Sequence, residues 1–352
     1  MGRKNRNKYH KSLHQLAHDR LKSMQAFGQS KRADMQMGLS ADKIYSYATY
    51  QTYKKHINYY LRWLKTAHPE VTTLRAAKRH AREWLELRAD KRNDDGKYRY
   101  SAWTIQTEAA ALNKLFGIDK ADPDRFIPPV RRREDIYRSR KSVSRDRHFS
   151  ETNNAELIEF CKGTGCRRNV LQRLTGDDLW SRERMQEDVN LLHRQNSADR
   201  DQAHLNALRD ALSTFPDEDY FVHHRKDKGG RSRFAPIIGP HREEIIARMK
   251  DRRPDEKVWQ HVSSAADIHS YRADYATRMY RMHAREYDAI PYDRVNEKTG
   301  IKYKSEVYYC RKEERGRRLD RKAMLIASKA LGHNRIDVIA ANYLRACRHG
   351  GE

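Results

Sequence analysis

The feature that most limits what this chain can fold into is an interruption. Between Arg131 and Arg147 the apolar periodicity visible on either side stops, and eight basic residues (Arg131, Arg132, Arg133, Arg138, Arg140, Lys141, Arg145 and Arg147) stand against three acidic ones. Unpaired charge of one sign resists compaction unless a counter-charge is supplied. The chain must therefore build a separate core on each side, and the stretch between them reads as a linker laid along phosphates. The expected organisation is a basic arm over 1–40, a helical domain over 41–130, the linker over 131–148 and a second domain over 149–352. A chain of 352 residues is long enough for a core in each domain.

The first domain reads as a small helical bundle. Tyr50, Tyr53, Ile57, Tyr60, Leu61 and Leu64 fall on one helical face, with Ser46 or Thr49 as N-cap and His68-Pro69 as the stop. Leu74, Ala77, Ala81, Trp84 and Leu85 mark a second helix, opened by Thr72 or Thr73. After a turn at Asn93-Asp94-Asp95-Gly96, a third runs from about Ser101 with Ile105, Ala109, Leu112 and Phe116 inward. Residues 1 to 40 are polar and weakly patterned, which predicts a flexible arm with room for one helix.

The second half is mixed. Asn153 to Cys161 and Asn169 to Leu179 carry helical patterning, as do Asp267 to Met282, Arg321 to Leu331 and Ile336 to Arg345. Tyr220 to His224 and Arg231 to Ile238 read as two strands joined by the turn Lys226-Asp227-Lys228-Gly229-Gly230, and Tyr303 to Tyr309 has strand composition. Long charged inserts run over about 181–217 and 283–320. The fold class expected is mainly α (α+β): a helical N-terminal domain, then a mostly helical domain with a small antiparallel sheet.

Composition points to the partner. Lys and Arg number 73 against 48 Asp and Glu, a formal charge of +25 with a pI near 9.9. Such a surplus favours a polyanion, nucleic acid first, although a ribosomal-type or chromatin-like binder without chemistry fits composition equally well. No stretch approaches the roughly 18 apolar residues of a membrane span. The opening Met1-Gly2-Arg3-Lys4-Asn5-Arg6 has no apolar segment behind it, so a cytoplasmic protein that follows the nucleoid DNA is expected. Cys161, Cys166, Cys310 and Cys347 include no C-x-x-C pair, which argues against a zinc ribbon or disulfide framework. His10, His14 and His18 repeat at helical spacing, a pattern that a solvated basic helix face accounts for better than a metal site.

Cutting a DNA backbone without a metal needs a nucleophile, cationic donors for the non-bridging oxygens and a proton source for the departing oxygen. Tyr suits the first role, Arg with its bidentate fork the second, and Lys or His the third. The second half contains such residues in order. Thr164-Gly165-Cys166-Arg167 sits at a turn into a helix, Lys228 at a hairpin tip, and His269-Ser270-Tyr271-Arg272 at a helix start. Leu331-Gly332-His333 follows, and Tyr343 comes ten residues after His333. Singly these are weak: in a chain this basic, a basic residue three after a His arises by chance about three or four times. Tyr343 is also one of 20 tyrosines, any of which can simply pack a helix. The ordered set is far more specific.

That set resembles the catalytic signature of the tyrosine recombinases, the phage integrase family. Its T-G-x-R is similar to Thr164 to Arg167, and its hairpin motif to Lys228-Gly229-Gly230-Arg231-Ser232-Arg233-Phe234-Ala235-Pro236. Its H-x-x-R with a following A-T resembles His269 to Arg272 and Ala276-Thr277, and its L-G-H resembles Leu331 to His333, with Tyr343 as nucleophile. The resemblance covers roughly residues 150 to 345. It departs in several features: the family usually has an acidic residue three after the first Arg, where Val170 stands here, and the long charged inserts fall between Arg167 and Lys228 and between Arg272 and His333. Arg168 rivals Arg167 for the phosphate role, with motif register favouring Arg167.

The resemblance implies a two-domain clamp on double-stranded DNA, a 3′-phosphotyrosyl intermediate on Tyr343, and strand exchange through a Holliday junction. Arg167 and Arg272 would hold the non-bridging oxygens, Lys228 would protonate the 5′ oxygen, His269 would help accept the tyrosine proton, and His333 would hydrogen-bond the phosphate. Arg131, Arg132, Arg133, Arg138, Arg140, Lys141, Arg231 and Arg233 are expected to contact DNA. The resemblance further implies no metal or other cofactor, no membrane, a monomer in solution and a homo-tetramer in the synapse, with accessory DNA-bending or directionality proteins as additional partners. An integrase of a mobile element fits best. The alternatives are a type IB topoisomerase and a catalytically inactive DNA-binding relative.

Overall fold

The computed structural model describes residues 11–131, 149–194, 199–225, 227, 232–310, 314–333 and 335–344. The chain divides into two compact units, Met1–Arg131 and Arg132–Glu352. Both are mainly helical, and the small sheets of the second are all antiparallel.

The first unit holds helices α1 (Leu13–Ser23), α2 (Lys31–Gln36), α3 (Tyr47–Ala67), α4 (Leu74–Arg79), α5 (Ala81–Asp90) and α6 (Ala102–Phe116). Five of the six start the same way. The side chains of Ser12, Ser30, Ser46, Thr73 and Ser101 each accept a hydrogen bond from the backbone N–H three residues on, satisfying a donor that the helix leaves orphaned. Ile57, Tyr60, Leu61 and Leu64 of α3 meet Ile105, Leu112 and Leu115 of α6 in one buried cluster with Trp84 and Leu85. Tyr50, Tyr53 and Phe116 pack against it only half-buried.

Two expectations change here. From Leu13 onward the first 40 residues do not read as an arm, because Ala17 and Leu21, one helical turn apart, are wholly buried in the cluster of the first unit. Two apolar positions in a polar helix suffice to dock it. The second expected helix is two, divided at His80, which caps α4 and opens α5. His18, one of the three evenly spaced histidines, shares a hydrogen bond with Asn58 at 3.0 Å.

One charge lies inside this unit. Glu108 of α6 is wholly buried and accepts hydrogen bonds from Arg88 Nε, at 3.1 Å, and from one of its terminal nitrogens, and shares one with His56 at 3.3 Å. Burial pushes its carboxyl up, but hydrogen bonds from His56 and Arg88 outweigh that and hold it below the usual range. Arg88 in turn stacks over Tyr100, 3.4 Å from the ring centre.

The second unit is built around one helix. It contains α7 (Ala155–Thr164), α8 (Arg168–Leu171), β1 (Leu179–Ser181), α9 (Arg182–Arg194), α10 (Asp199–Thr214), β2 (Tyr220–His224), β3 (Arg233–Pro236), α11 (Arg242–Lys250) and α12 (Ile268–His283). Then come β4 (Arg294–Val295), β5 (Lys302–Tyr303), β6 (Val307–Tyr309), β7 (Arg318–Asp320), α13 (Arg321–Ala330) and α14 (Ile336–Asn342). Helix α12, N-capped by Asp267, packs between α7 and α13 and buries Ala273, Tyr275, Ala276 and Met279 completely. The strands run in the order β1-β2-β3, with Phe221 opposite Pro236 and His224 opposite Arg233, so the expected hairpin is present.

Patterning misled in two places. The helix expected over 169–179 stops at Leu171. Thr175 and Asp178 form a reciprocal capping box that turns the chain into strand β1. The strand expected over 303–309 is two strands in two separate sheets, pairing β4 with β5 and β6 with β7. The first charged insert folds as α9 and α10 against the same core, through Met185, Leu208 and Ala211. No described helix is long and apolar enough to cross a membrane.

The buried carboxylate yields a stability prediction. Arg88→Ala strands Glu108 in the core and should cost about 3 kcal/mol or more, as for other broken buried pairs. Arg82→Ala removes only the exposed pair with Glu86 and should cost about 1 kcal/mol or less. Urea unfolding followed by the tryptophan fluorescence of the first unit distinguishes them; equal losses would mean that Glu108 has other support.

Candidate active site

Arg272 sits in the first turns of α12 at 1% exposure. Its two terminal nitrogens donate to backbone carbonyls, one to Gly165 and the other to Leu331. Burial, and then the charge of Arg233, push its pKa down to about 10. Its Nε is buried without a hydrogen-bond partner among the described residues. A guanidinium in that state is a donor held in a low-dielectric place, short of an acceptor.

Local geometry makes the two carbonyls available. Gly165 ends α7 in the left-handed region at φ +59°, and a Cβ there would stand 2.5 Å from the Tyr275 ring. Gly332 takes φ +69° just after α13, and a Cβ there would stand 2.6 Å from Arg233 Cδ. Only glycine meets both the backbone and the space requirement. The T-G-x-R and L-G-H motifs thus each deliver a turn whose carbonyl reaches Arg272.

Tyr343 caps the C-terminal end of α14 and is 5% exposed. Its hydroxyl shares a hydrogen bond with His333 Nε2 at 3.2 Å, and the Arg272 guanidinium carbon lies 5.7 Å from its ring centre. The His269 ring stands edge-on to it, centres 5.3 Å apart, with His269 itself exposed. The loop carrying His333 is fixed by Ser328, whose hydroxyl donates to the His333 carbonyl at 2.7 Å. Four of the six expected catalytic residues, Arg272, Tyr343, His333 and His269, therefore meet around one point.

Arg167 is partly exposed on the same side and donates to Asp227. Its rival Arg168 is turned away, donating to the carbonyls of Ser263, Ser264 and Ala266, and serves as a staple between loops. Lys228, Arg231, Arg132, Arg133, Arg138, Arg140 and Lys141 lie outside the described residues. Arg131 is exposed, 5.9 Å from the Trp103 ring centre.

Arg233 corrects an expectation. Instead of facing DNA it is buried, donating from Nε to Asp227 at 3.1 Å, from one terminal nitrogen to the Ala330 carbonyl and from the other to His224 Nδ1 at 2.7 Å. Because Arg cannot accept, His224 must present a lone pair at Nδ1 and is neutral. Burial, then Arg233, Arg272 and Arg167, push its pKa well below the usual value. Its other nitrogen faces Cys166 Sγ at 3.7 Å, and burial raises that thiol to about 11. Arg167, Asp227, Ser232, Arg233, Lys329 and Gly332 line a cavity of about 160 Å³.

Sequence reasoning missed Asp227 and His224. An Asp between two lysines in a turn reads as solvent-facing, and only the register that sets His224 opposite Arg233 shows that the strand end is inside. Elsewhere, His68, Glu70 and His80 bring potential ligand atoms within 4.8 Å of one another. Both imidazoles already lie 3.2 Å from Glu83, which accounts for them as a polar cap between α3 and α5. No family model matches the sequence, and no curated protein matches it.

The glycine requirement is testable without any assay of activity. Gly332→Ala must strain its backbone and displace Arg233, which should cost about 1–3 kcal/mol. Gly300→Ala shares the positive φ but has open space around it, so its loss should be smaller. Thermal unfolding of both variants checks the order; a Gly332→Ala chain as stable as Gly300→Ala would mean that Arg233 moves freely.

Proposed function

We propose that the chain is a site-specific DNA recombinase of the tyrosine type, the integrase of a mobile element, working as a tetramer on paired sites. The observation that carries this reading is Arg272: a buried guanidinium whose Nε has no hydrogen-bond partner among the described residues, beside a tyrosine hydroxyl bonded to an imidazole. A phosphodiester set there would give Arg272 its acceptor and put phosphorus within reach of Tyr343. The formal charge of +25 supports DNA as the source of that phosphate.

In the proposed reaction Tyr343 Oη attacks the scissile phosphorus while Arg167 and Arg272 neutralise the non-bridging oxygens. The bond to the 5′ oxygen breaks, Lys228 gives that oxygen its proton, and the 3′ phosphate remains on Tyr343. The hydrogen bond between Tyr343 and His333 supports His333 as the first acceptor of the phenolic proton, with His269 alongside. Attack by the 5′ hydroxyl of a second strand reverses each step on new DNA. The phosphodiester energy is kept in the covalent link, so no nucleotide is consumed.

Two experiments test this. Purified protein is mixed with DNA from the ends of its own element, and covalent complexes and Holliday junctions are trapped. Junctions on those ends, absent with Tyr343→Phe although DNA still binds, are expected. Relaxation of any supercoiled plasmid by a monomer, without junctions, would instead identify a type IB topoisomerase, and binding without any adduct would identify an inactive relative.

For the general acid, Lys228→Ala should cut about 10²–10⁴-fold more slowly. Sulfur in place of the 5′ bridging oxygen leaves without protonation and should restore the rate. A variant that stays slow on the sulfur substrate would reduce Lys228 to a phosphate contact.

A further inference from the structure

The hairpin between β2 and β3 places a buried carboxylate between two arginines of the site. Asp227 is 4% exposed, and its Oδ2 accepts from Arg167 and, at 3.1 Å, from Arg233 Nε. The charges of Arg233 and Arg167 both act on Arg272, and His224, which accepts from Arg233, is neutral. Three guanidinium groups of like charge thus lie within electrostatic reach of one another, and one carboxylate bridges two of them. Position 170, three beyond Arg167, is a valine at 3% exposure packed among Cys166, Leu171 and Leu174, so no carboxylate can reach Arg167 from its own helix.

We propose that Asp227 is the positioning residue of this site, holding Arg167 toward the scissile phosphate and anchoring, through the same carboxylate, the hairpin that carries Lys228. Asp227 touches no reacting atom. It acts by fixing the guanidinium that does, and by fixing the chain one residue away from the general acid. Because Arg233 is itself tied to the Ala330 carbonyl, next to the turn bearing His333, the anchor also joins the hairpin to the loop on the nucleophile side. The inference rests on the recombinase reading of the same site, in which Arg167 and Lys228 act on one phosphodiester.

The test measures the rate of phosphotyrosyl adduct formation on a nicked DNA substrate, together with DNA affinity, for Asp227→Asn, Arg167→Ala and the double variant. Misplacing a positioned group by about an ångström costs about 10²-fold, so Asp227→Asn should slow adduct formation by that factor while affinity changes little. In the Arg167→Ala background the same substitution should cost far less, because the residue it positions is gone. Asp227→Glu keeps the charge and moves it by one methylene. It should remain folded and slow the reaction by about tenfold, which keeps the inference testable if the Asn variant unfolds. An Asp227→Asn rate equal to or above wild type overturns the inference, the second outcome because Asp227 would then merely compete with phosphate. Full additivity with Arg167→Ala overturns it too. Wild-type protein that forms no adduct overturns the recombinase reading itself; wild-type adduct with an unchanged Asp227 variant overturns this inference alone.

Discussion

The tie on which the second unit depends is the pair of hydrogen bonds from Arg272 to the carbonyls of Gly165 and Leu331. A guanidinium cannot be buried without acceptors, and here both come from backbone turns distant in the sequence. Burying Arg272 therefore requires the end of α7 and the end of α13 to close on α12 together. Arg167 lies two residues beyond Gly165, and His333 two beyond Leu331. The interaction that makes the core tolerable is the one that assembles the cluster.

Much of this was legible in the sequence, for reasons that differ by element. Helices with an apolar stripe and a Ser or Thr cap, such as α3 and α6, can be read because both signals are local. The hairpin was readable because its turn chemistry is local too. What could not be read depends on partners far away. Ala17 and Leu21 look like stray apolar residues in a basic tail until the first unit supplies a surface for them. The stretch after Leu171 has helical composition, yet a capping box at Thr175 and Asp178 turns it into an edge strand.

The candidate cluster divides along the same line. Motif order indicated Tyr343, Arg272, His333, His269 and Arg167, and the fold gathers Arg272, Tyr343, His333 and His269 around one point with Arg167 on the same side. The surrounding electrostatics were hidden, because a residue's charge depends on what faces it. His224 is neutral because full burial and three arginines oppose its protonation. Arg233 belongs to the interior because Asp227, His224 and a carbonyl take up its donors. A basic residue in a basic chain carries no mark that separates such an internal role from a surface one.

Helix α12 has a consequence for how such a chain diversifies. Arg272 stands near its start, and Thr277, five residues on, reaches the Tyr343 carbonyl at 3.5 Å. Helical rise sets these two positions about 7.5 Å apart along the axis. The spacing between the buried guanidinium and the chain that bears the tyrosine is thus written into one rigid rod. Neither charged insert is threaded through that interval: one precedes the helix and the other follows it. A change of length or composition in either segment therefore leaves the interval between Arg272 and Thr277 as it is, because that interval is a property of the helix alone.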